Sequence, residues 1–365
     1  MTTAPHRIEP LALPASLYSP DAGAFRAVGE LCDAVTLETW GNLDRSAPPA
    51  ARLQEWQDNA YRTVRVFFVR EEGQVVGNSW ISCDLRENLR SAFLHVQVRS
   101  GFTGRGIGRA LLQHAQELAA AEGRTILQSY TEHPADFASA GPGLLRPATG
   151  AGALPADARG VRFALAAGYR LEQVERFSVL DVPASAVAWD ALEREALDKT
   201  GEDYELLAWT GSCPDGYAEG LAVLMSRMST DVPIGELSYD EETWDVARLR
   251  HIEDMWQQAG IVSLVAAARH LPSGELAAYS VLQLTPSKPW LADQDDTLVA
   301  KPHRGHRLGM LVKLANLRRL RSEYPGVDRV ITFNAAENDH MLAINVALGF
   351  RPAGWDGEWQ RIVPA

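Results

Sequence analysis

Two stretches of this sequence carry residue types and spacings suited to holding a small anion. The first is Val98-Arg-Ser-Gly-Phe-Thr-Gly-Arg-Gly-Ile-Gly-Arg-Ala-Leu and the second is Val299-Ala-Lys-Pro-His-Arg-Gly-His-Arg-Leu-Gly-Met-Leu. In both, an apolar strand-like run passes into glycines and basic residues and then into a helical pattern. Unpaired N–H groups at a helix start converge on one spot, and the helix dipole favours negative charge there. Glycine removes the Cβ that would keep a phosphate away, and arginine adds charge-assisted hydrogen bonds. A dinucleotide fingerprint would need Gly-x-Gly-x-x-Gly within a parallel unit, but Gly104, Gly106 and Gly108 are evenly spaced after hairpin strands. A P-loop would need Gly-Lys-Ser/Thr, which is absent.

The charge distribution fits two small anionic ligands better than a polymer. The 365 residues carry a formal charge of −12, the reverse of a general nucleic-acid binder. Within this acidic chain, residues 88–116 and 297–322 contain no Asp or Glu and concentrate arginines. Cys32, Cys83 and Cys213 have no zinc spacing, and His303 with His306 lacks a helical carboxylate companion, so no metal is expected. No apolar run is long enough to cross a bilayer and MTTAPHRIEP has no apolar signal core, so a cytoplasmic protein is expected.

The elements around the two loops repeat in order. Residues 21–62 have helical periodicity and are followed by strands Val64–Val69, Gln74–Cys83 and Phe93–Val98. After the first loop come a helix to about Glu122, a strand Ile126–Tyr130, a short helix Arg159–Ala167 and a strand Leu171–Asp181. The second half has a strand Tyr204–Trp209, helices over 215–228 and 242–259, and a hairpin of Val262–Ala268 with Leu276–Leu284. A strand Thr297–Ala300, a helix to about Ser322, a strand Arg329–Phe333, a helix over 339–348 and a last strand region follow. Gly108 corresponds to Gly309 and Gly168 to Gly349. The first copy is longer by about twenty residues, which fit an irregular loop at 133–157. The expected organisation is a first domain over 1–181, a linker over 182–203 and a second domain over 204–365.

With both loops in the same ordered context, the sequence resembles the GNAT acyltransferases in tandem, an arrangement similar to mycothiol synthase and related actinobacterial acetyltransferases. The family signature Arg/Gln-x-x-Gly-x-Gly/Ala is met through Gly106 and Gly108, with Thr103 at the Arg/Gln position. In the second copy it is met through Arg304 and Gly309, with Arg307 in place of the first glycine. A second family motif is matched by Asn338-x-x-Met341-x-x-x-Asn345-x-x-Leu348-Gly349-Phe350. The resemblance implies two α/β (α+β) folds, each a mixed, mostly antiparallel sheet with flanking helices, splayed between its fourth and fifth strands. It also implies acetyl-CoA or another acyl-CoA in the gap, with diphosphate on the glycine loop and pantetheine along the fourth strand. Carried over, the contacts are Val96, Val98, Gly104, Arg105, Gly106, Ile107, Gly108 and Arg109 in the first copy. In the second they are Leu298, Val299, Arg304, Gly305, His306, Arg307, Leu308, Gly309 and Asn338. The Val299 N–H would meet the acyl oxygen, a position worth about 2–4 kcal/mol of barrier.

The implied reaction is direct attack of an amine on the thioester, in a complex holding both substrates, and it needs a general base. Asp295 and Asp296, placed just before the fourth strand of the second copy, are candidates, with Glu358 and His340 behind them. The family's tyrosine acid falls at Asn345 in the second copy and Ala164 in the first, and neither donates a proton as an acid at neutral pH. Because it keeps Asn338 and the acidic pair, the second half is expected to be catalytic, with the first half supporting it or binding acyl-CoA. The expected acceptor is a small-molecule primary amine, with neither nucleic acid nor membrane as partner. A non-catalytic acyl-CoA-binding or sensory protein and a protein-lysine acetyltransferase are the competing readings.

Overall fold

The computed structural model describes residues 6–137 and 141–364. Its elements group into two compact units. The first comprises 1–173 with 236–238 and 356–365; the second comprises 174–235 with 239–355.

Unit 1 begins with a short edge strand β1 (Ile8–Pro10), helices α1 (Gly23–Trp40) and α2 (Pro49–Glu55), and a meander of β2 (Arg62–Glu71), β3 (Gln74–Asp84) and β4 (Ser91–Val98). Buried residues alternate along β2 (Val64, Val66, Phe68), so one face packs on α1 through Phe25, Val28 and Leu31. Helix α3 (Ile107–Ala121) follows the glycine loop, with Ile107 and Leu111 buried against Val69 and Val76. Next come β5 (Ile126–Pro134), a two-residue pair β6 (Leu144–Leu145) and β7 (Leu154–Pro155), helix α4 (Arg159–Ala166) and the start of β8 (Arg170–Asp181). The stretch expected to be irregular therefore holds a small antiparallel pairing, Leu144 with Pro155 and Leu145 with Leu154.

Unit 2 takes the rest of β8 and then the segment expected as a linker. That segment is helical: α5 (Val182–Ser185) and α6 (Trp189–Thr200). Trp189, Leu192 and Ala196 lie on one side at helical spacing and join the core of this unit. Strand β9 (Tyr204–Thr210) and helices α7 (Asp215–Ser226), α8 (Met228–Asp231) and α9 (Val246–Gln258) precede a meander of β10 (Val262–His270), β11 (Leu276–Leu284) and β12 (Leu291–Val299). Helix α10 (Leu308–Glu323), β13 (Arg329–Ala335), α11 (Asp339–Leu348) and β14 (Arg351–Ile362) complete the chain.

The two sheets have the same plan. In unit 1 the strand order is β1-β2-β3-β4-β5-β14, and in unit 2 it is β8-β13-β12-β11-β10-β9. Within β1–β5 and within β8–β13, neighbours are antiparallel except for one parallel step in each. In unit 1 it is Ser91–Phe93 of β4 beside Ile126–Gln128 of β5. In unit 2 it is Leu291–Asp293 of β12 beside Arg329–Ile331 of β13. Each parallel pairing ends after three residues, and the two strands then diverge. The closing strands are exchanged relative to the expected domain limits. Residues 174–181 pair with β13 in unit 2, and residues 356–362 at the end of β14 lie beside β5 in unit 1.

Candidate functional site

The divergence of β4 from β5 opens a cavity of about 740 Å³ in unit 1. At one end lies the glycine loop. Gly106, the residue before α3, has φ +90°, a left-handed conformation that a Cβ would strain. Gly104 is likewise left-handed at +76°, and no atom lies within 4 Å of where its Cβ would be. The first N–H of α3 that finds a backbone carbonyl is that of Ala110, bonded to Gly106, so those of Ile107, Gly108 and Arg109 lack helical partners. Gly104, Gly106, Ile107, Gly108 and Arg109 all line the cavity. Among the described residues Arg109 has no acidic partner. Arg105 differs: its guanidinium donates to Glu71 at 3.2 Å and to the Gly101 carbonyl at 3.0 Å, and it does not line the cavity.

Strand β4 forms the cavity's side wall. The Arg99 N–H bonds to the Val76 carbonyl on β3, and antiparallel alternation turns the N–H groups of Val98 and Val96 the other way, towards the divergence. Helix α4 and the residue that caps it face them with Phe163, Ala164 and Ala167. Small residues there leave the space open.

The far end of the cavity carries polar and aromatic groups from several elements: His95 of β4, Tyr130 and Glu132 of β5, Thr39 of α1 and Trp359 of β14. His95 stacks on Tyr130 with ring centroids 4.6 Å apart and planes at 19°. Burial alone pushes the His95 imidazole down to about 4, so it is neutral at pH 7. The Tyr130 phenol is held well above its ordinary value, chiefly by desolvation and then by the Glu132 charge. Glu132 accepts from the Trp40 indole at 3.0 Å and pairs with Arg45 at 2.7 Å; Arg45 also holds Asp356 through two hydrogen bonds. Burial raises Asp356 to about 6 against the pull of Arg45.

The Acetyltransferase (GNAT) domain family matches residues 62–140, the segment that carries β2 to β5 and the glycine loop. A tandem GNAT protein from the clavulanic acid biosynthesis pathway, solved without AcCoA, aligns over 98% of this chain and 99% of its own, with 26% identity and a TM-score of 0.74. The chain carries a GNAT domain and is similar over nearly its whole length to a tandem GNAT protein. A GCN5-related N-acetyltransferase from Sphaerobacter thermophilus shares the fold at 14% identity and a TM-score of 0.61, over 100% of this chain and 98% of its own. No curated protein matches. GNAT proteins are acyltransferases that draw on acyl-CoA, and the expected mixed, splayed α/β fold is present in both copies.

The second GNAT copy keeps the splay but fills its surroundings differently. Helix α6 lies against both α10 and α11, with Trp189 only 1% exposed and its indole donating to the Leu348 carbonyl. Thr200 of α6 donates to the His306 carbonyl at 2.8 Å, and Glu195 binds Arg307 at 2.6 Å. Arg307 occupies the left-handed position that Gly106 holds in the first copy, at φ +58°. Arg304 donates to the carbonyls of Val299 and Asp231, and Lys301 pairs with the Asp231 carboxylate. The basic groups of this loop are thus already answered by acids and carbonyls of the same unit. Leu308 and Gly309 are buried, with Ile344 of α11 3.2 Å from where a Gly309 Cβ would stand. Gly305 is left-handed at +91°. Val299 turns its N–H to the splay, while Leu298 pairs with Tyr279 and buries its side chain in the core.

The catalytic candidates from the sequence do not come together. Asp295 and Asp296 lie within β12, not before it. Asp296 accepts from the Tyr279 hydroxyl at 3.0 Å and Asp295 from Gln283 at 2.7 Å. Both carboxyls are raised, each chiefly by desolvation, with the Asp296 charge adding to it at Asp295. They edge a cavity of about 20 Å³, room for a single water. Asn345 is fully buried and donates to Asn334 at 2.6 Å. The Asn338 side-chain oxygen caps α11 by accepting from the Met341 N–H. His340 is exposed on the first turn of α11. Glu358, expected in the second copy, belongs to unit 1 because the end of β14 does.

Sequence reasoning missed His95, Tyr130 and Glu132. His95 carried a faint signal, a histidine two residues before the cavity-facing Gln97 on a strand of apolar neighbours. Trp359 reads as an aromatic of the second half that could line an acceptor pocket, but nothing in its local sequence tells which sheet its strand joins, and it belongs to unit 1.

Proposed function

We propose that this tandem GNAT protein is an N-acyltransferase that binds acyl-CoA, acetyl-CoA in the first instance, in unit 1. The acyl group passes to the primary amine of a small molecule by direct attack within a complex holding both substrates. The observation that carries this reading is the cavity between β4 and β5, which runs from the glycine loop to the aromatic end. The diphosphate is assigned to the N–H groups of Gly104 to Arg109 and the Arg109 guanidinium. The pantetheine amides are assigned to the free edge of β4 at Val96 and Val98. One of these N–H groups polarises the thioester carbonyl, a contact worth about 2–4 kcal/mol of barrier. The acceptor enters from the His95 and Tyr130 side.

This assignment reverses the sequence-based preference for the second half, because Glu195 of α6 and Asp231 of α8 already engage the basic groups of that loop. Titration calorimetry with acetyl-CoA tests it. One site per chain is expected; Arg109→Glu weakens binding at least tenfold, and Arg304→Glu leaves it unchanged. The opposite pattern would return the site to unit 2. Release of CoA in the presence of a panel of small primary amines tests the transfer. A second reading, an acyl-CoA-binding protein without turnover, is favoured by one feature: alanine, not an acid, at position 164. Tight binding with no CoA release for any amine would select it.

A further inference from the structure

The chemistry assigned to unit 1 needs a proton to leave the attacking nitrogen and another to reach the departing sulfur. The position on α4 from which the family's acid would act is Ala164, so the donor has to come from elsewhere. His95 lines the same cavity from β4 and is only 8% exposed. Both of its ring nitrogens are buried, and neither has a hydrogen-bond partner. A neutral imidazole always has one donor and one acceptor nitrogen, and leaving both unmatched costs roughly 1–3 kcal/mol each, a penalty that folding alone does not explain. The ring is fixed without using either nitrogen, by stacking on Tyr130 and by Trp80 at 5.6 Å.

We propose that His95 serves both ends of the transfer, accepting the proton of the attacking nitrogen and handing it to the thiolate that leaves. The proposal rests on acyl transfer taking place in unit 1. The amine nitrogen bonds to the thioester carbon, and the resulting N–H⁺ passes its proton to an imidazole nitrogen. The oxyanion then collapses, the carbon–sulfur bond breaks, and the imidazolium protonates the sulfur. The products are the amide and CoA with its thiol restored, and His95 is again neutral. Burial acts differently on the two halves of this cycle. It keeps the imidazole free of protons before attack and makes the imidazolium quick to protonate the sulfur, while it weakens the imidazole as a base, so the proton it accepts is that of the acidic N–H⁺ of the tetrahedral adduct and not that of a free ammonium. No charged group offsets that effect: burial is the sole cause of the shift, and the phenol of Tyr130, on which the ring stacks, is itself held protonated.

The first test uses the unmodified chain with ¹⁵N-labelled histidines, titrated with CoA. Both His95 ring nitrogens are expected to shift as CoA saturates. If CoA binds and the His95 signals stay in place, this proposal is overturned and acyl-CoA binding stands. If CoA does not bind at all, the reading of unit 1 fails first. The second test is turnover with acetyl-CoA and the fastest amine of the panel. His95→Gln is expected to lower kcat roughly 10²–10⁴-fold with CoA affinity kept within threefold. Added imidazole is expected to restore part of the rate of His95→Ala, which a purely structural histidine would not allow. A His95→Gln rate within threefold of the parent sinks the proposal. Should that variant not fold, His95→Phe, which keeps the ring and its stack, replaces it.

Discussion

Arg307 donates to Glu195 of α6 at 2.6 Å from a left-handed backbone position. The first copy has Gly106 at that place, bonded among the described residues only to its own helix. The same sequence position thus holds a bare glycine at the cavity in one copy and fastens the loop to a helix in the other.

Arg307→Gly removes a left-handed strain of about 1 kcal/mol and an exposed ion pair worth about 0–1 kcal/mol. The two nearly cancel, so the melting temperature should stay level or rise slightly. Acetyl-CoA stoichiometry should stay at one per chain, since α6 still covers the loop. A loss of more than 2 kcal/mol on denaturant unfolding would show that the Glu195 contact does more than fasten the loop.

Trp189→Ala should cost roughly 3–5 kcal/mol, the range for deleting a large buried aromatic. A tryptophan in a solvated linker would cost about 0.5 kcal/mol or less. Urea unfolding of the two chains side by side separates these outcomes.

Lys313 is 1% exposed on α10, its ammonium 6.0 Å from the Phe350 ring, and desolvation lowers it to about 7. A lysine depressed in the fold binds fewer protons there than in the unfolded chain. Stability is therefore full above pH 10.5 and falls as the pH drops to about 7, by an amount on the order of 5 kcal/mol. Lys313→Leu, which supplies the residue found at Leu112 in the first copy, should raise stability at pH 7 and flatten the rise between pH 7 and 10. A Lys313→Leu chain with the parent's pH dependence would disprove this account.

Much of this fold is legible in the sequence because its signals are local. Alternation along β2 and β3, the glycines of the first loop and the cap at Gly349 each act over a few residues. Asp293, Asp295 and Asp296 hid the start of β12: Asp293 is held by strands on both sides, and Asp295 and Asp296 fall where the register with β11 shifts. The helix α6 did carry its periodicity in Trp189, Leu192 and Ala196, but the segment repeats nothing in the first half and so looked like a join. The candidate site was legible at its glycine end and silent at its aromatic end. That end is assembled from α1, β4, β5 and β14, and only the folded chain shows which strand lies next to β5.

The exchange of closing strands bears on how the protein is made. Unit 1 lacks its sixth strand until residues 356–362 have left the ribosome, although the rest of it has been available since residue 173. Its cavity, which takes Trp359 and Arg361 from that strand, is therefore finished only after the whole of unit 2 has been made. A fragment stopping at residue 181 would present the free edge of β5, an invitation to pair with a neighbouring chain. Dissecting the two copies by cutting between them would thus yield aggregation-prone pieces, and the separate duties of the halves are better probed by point changes in the intact polypeptide.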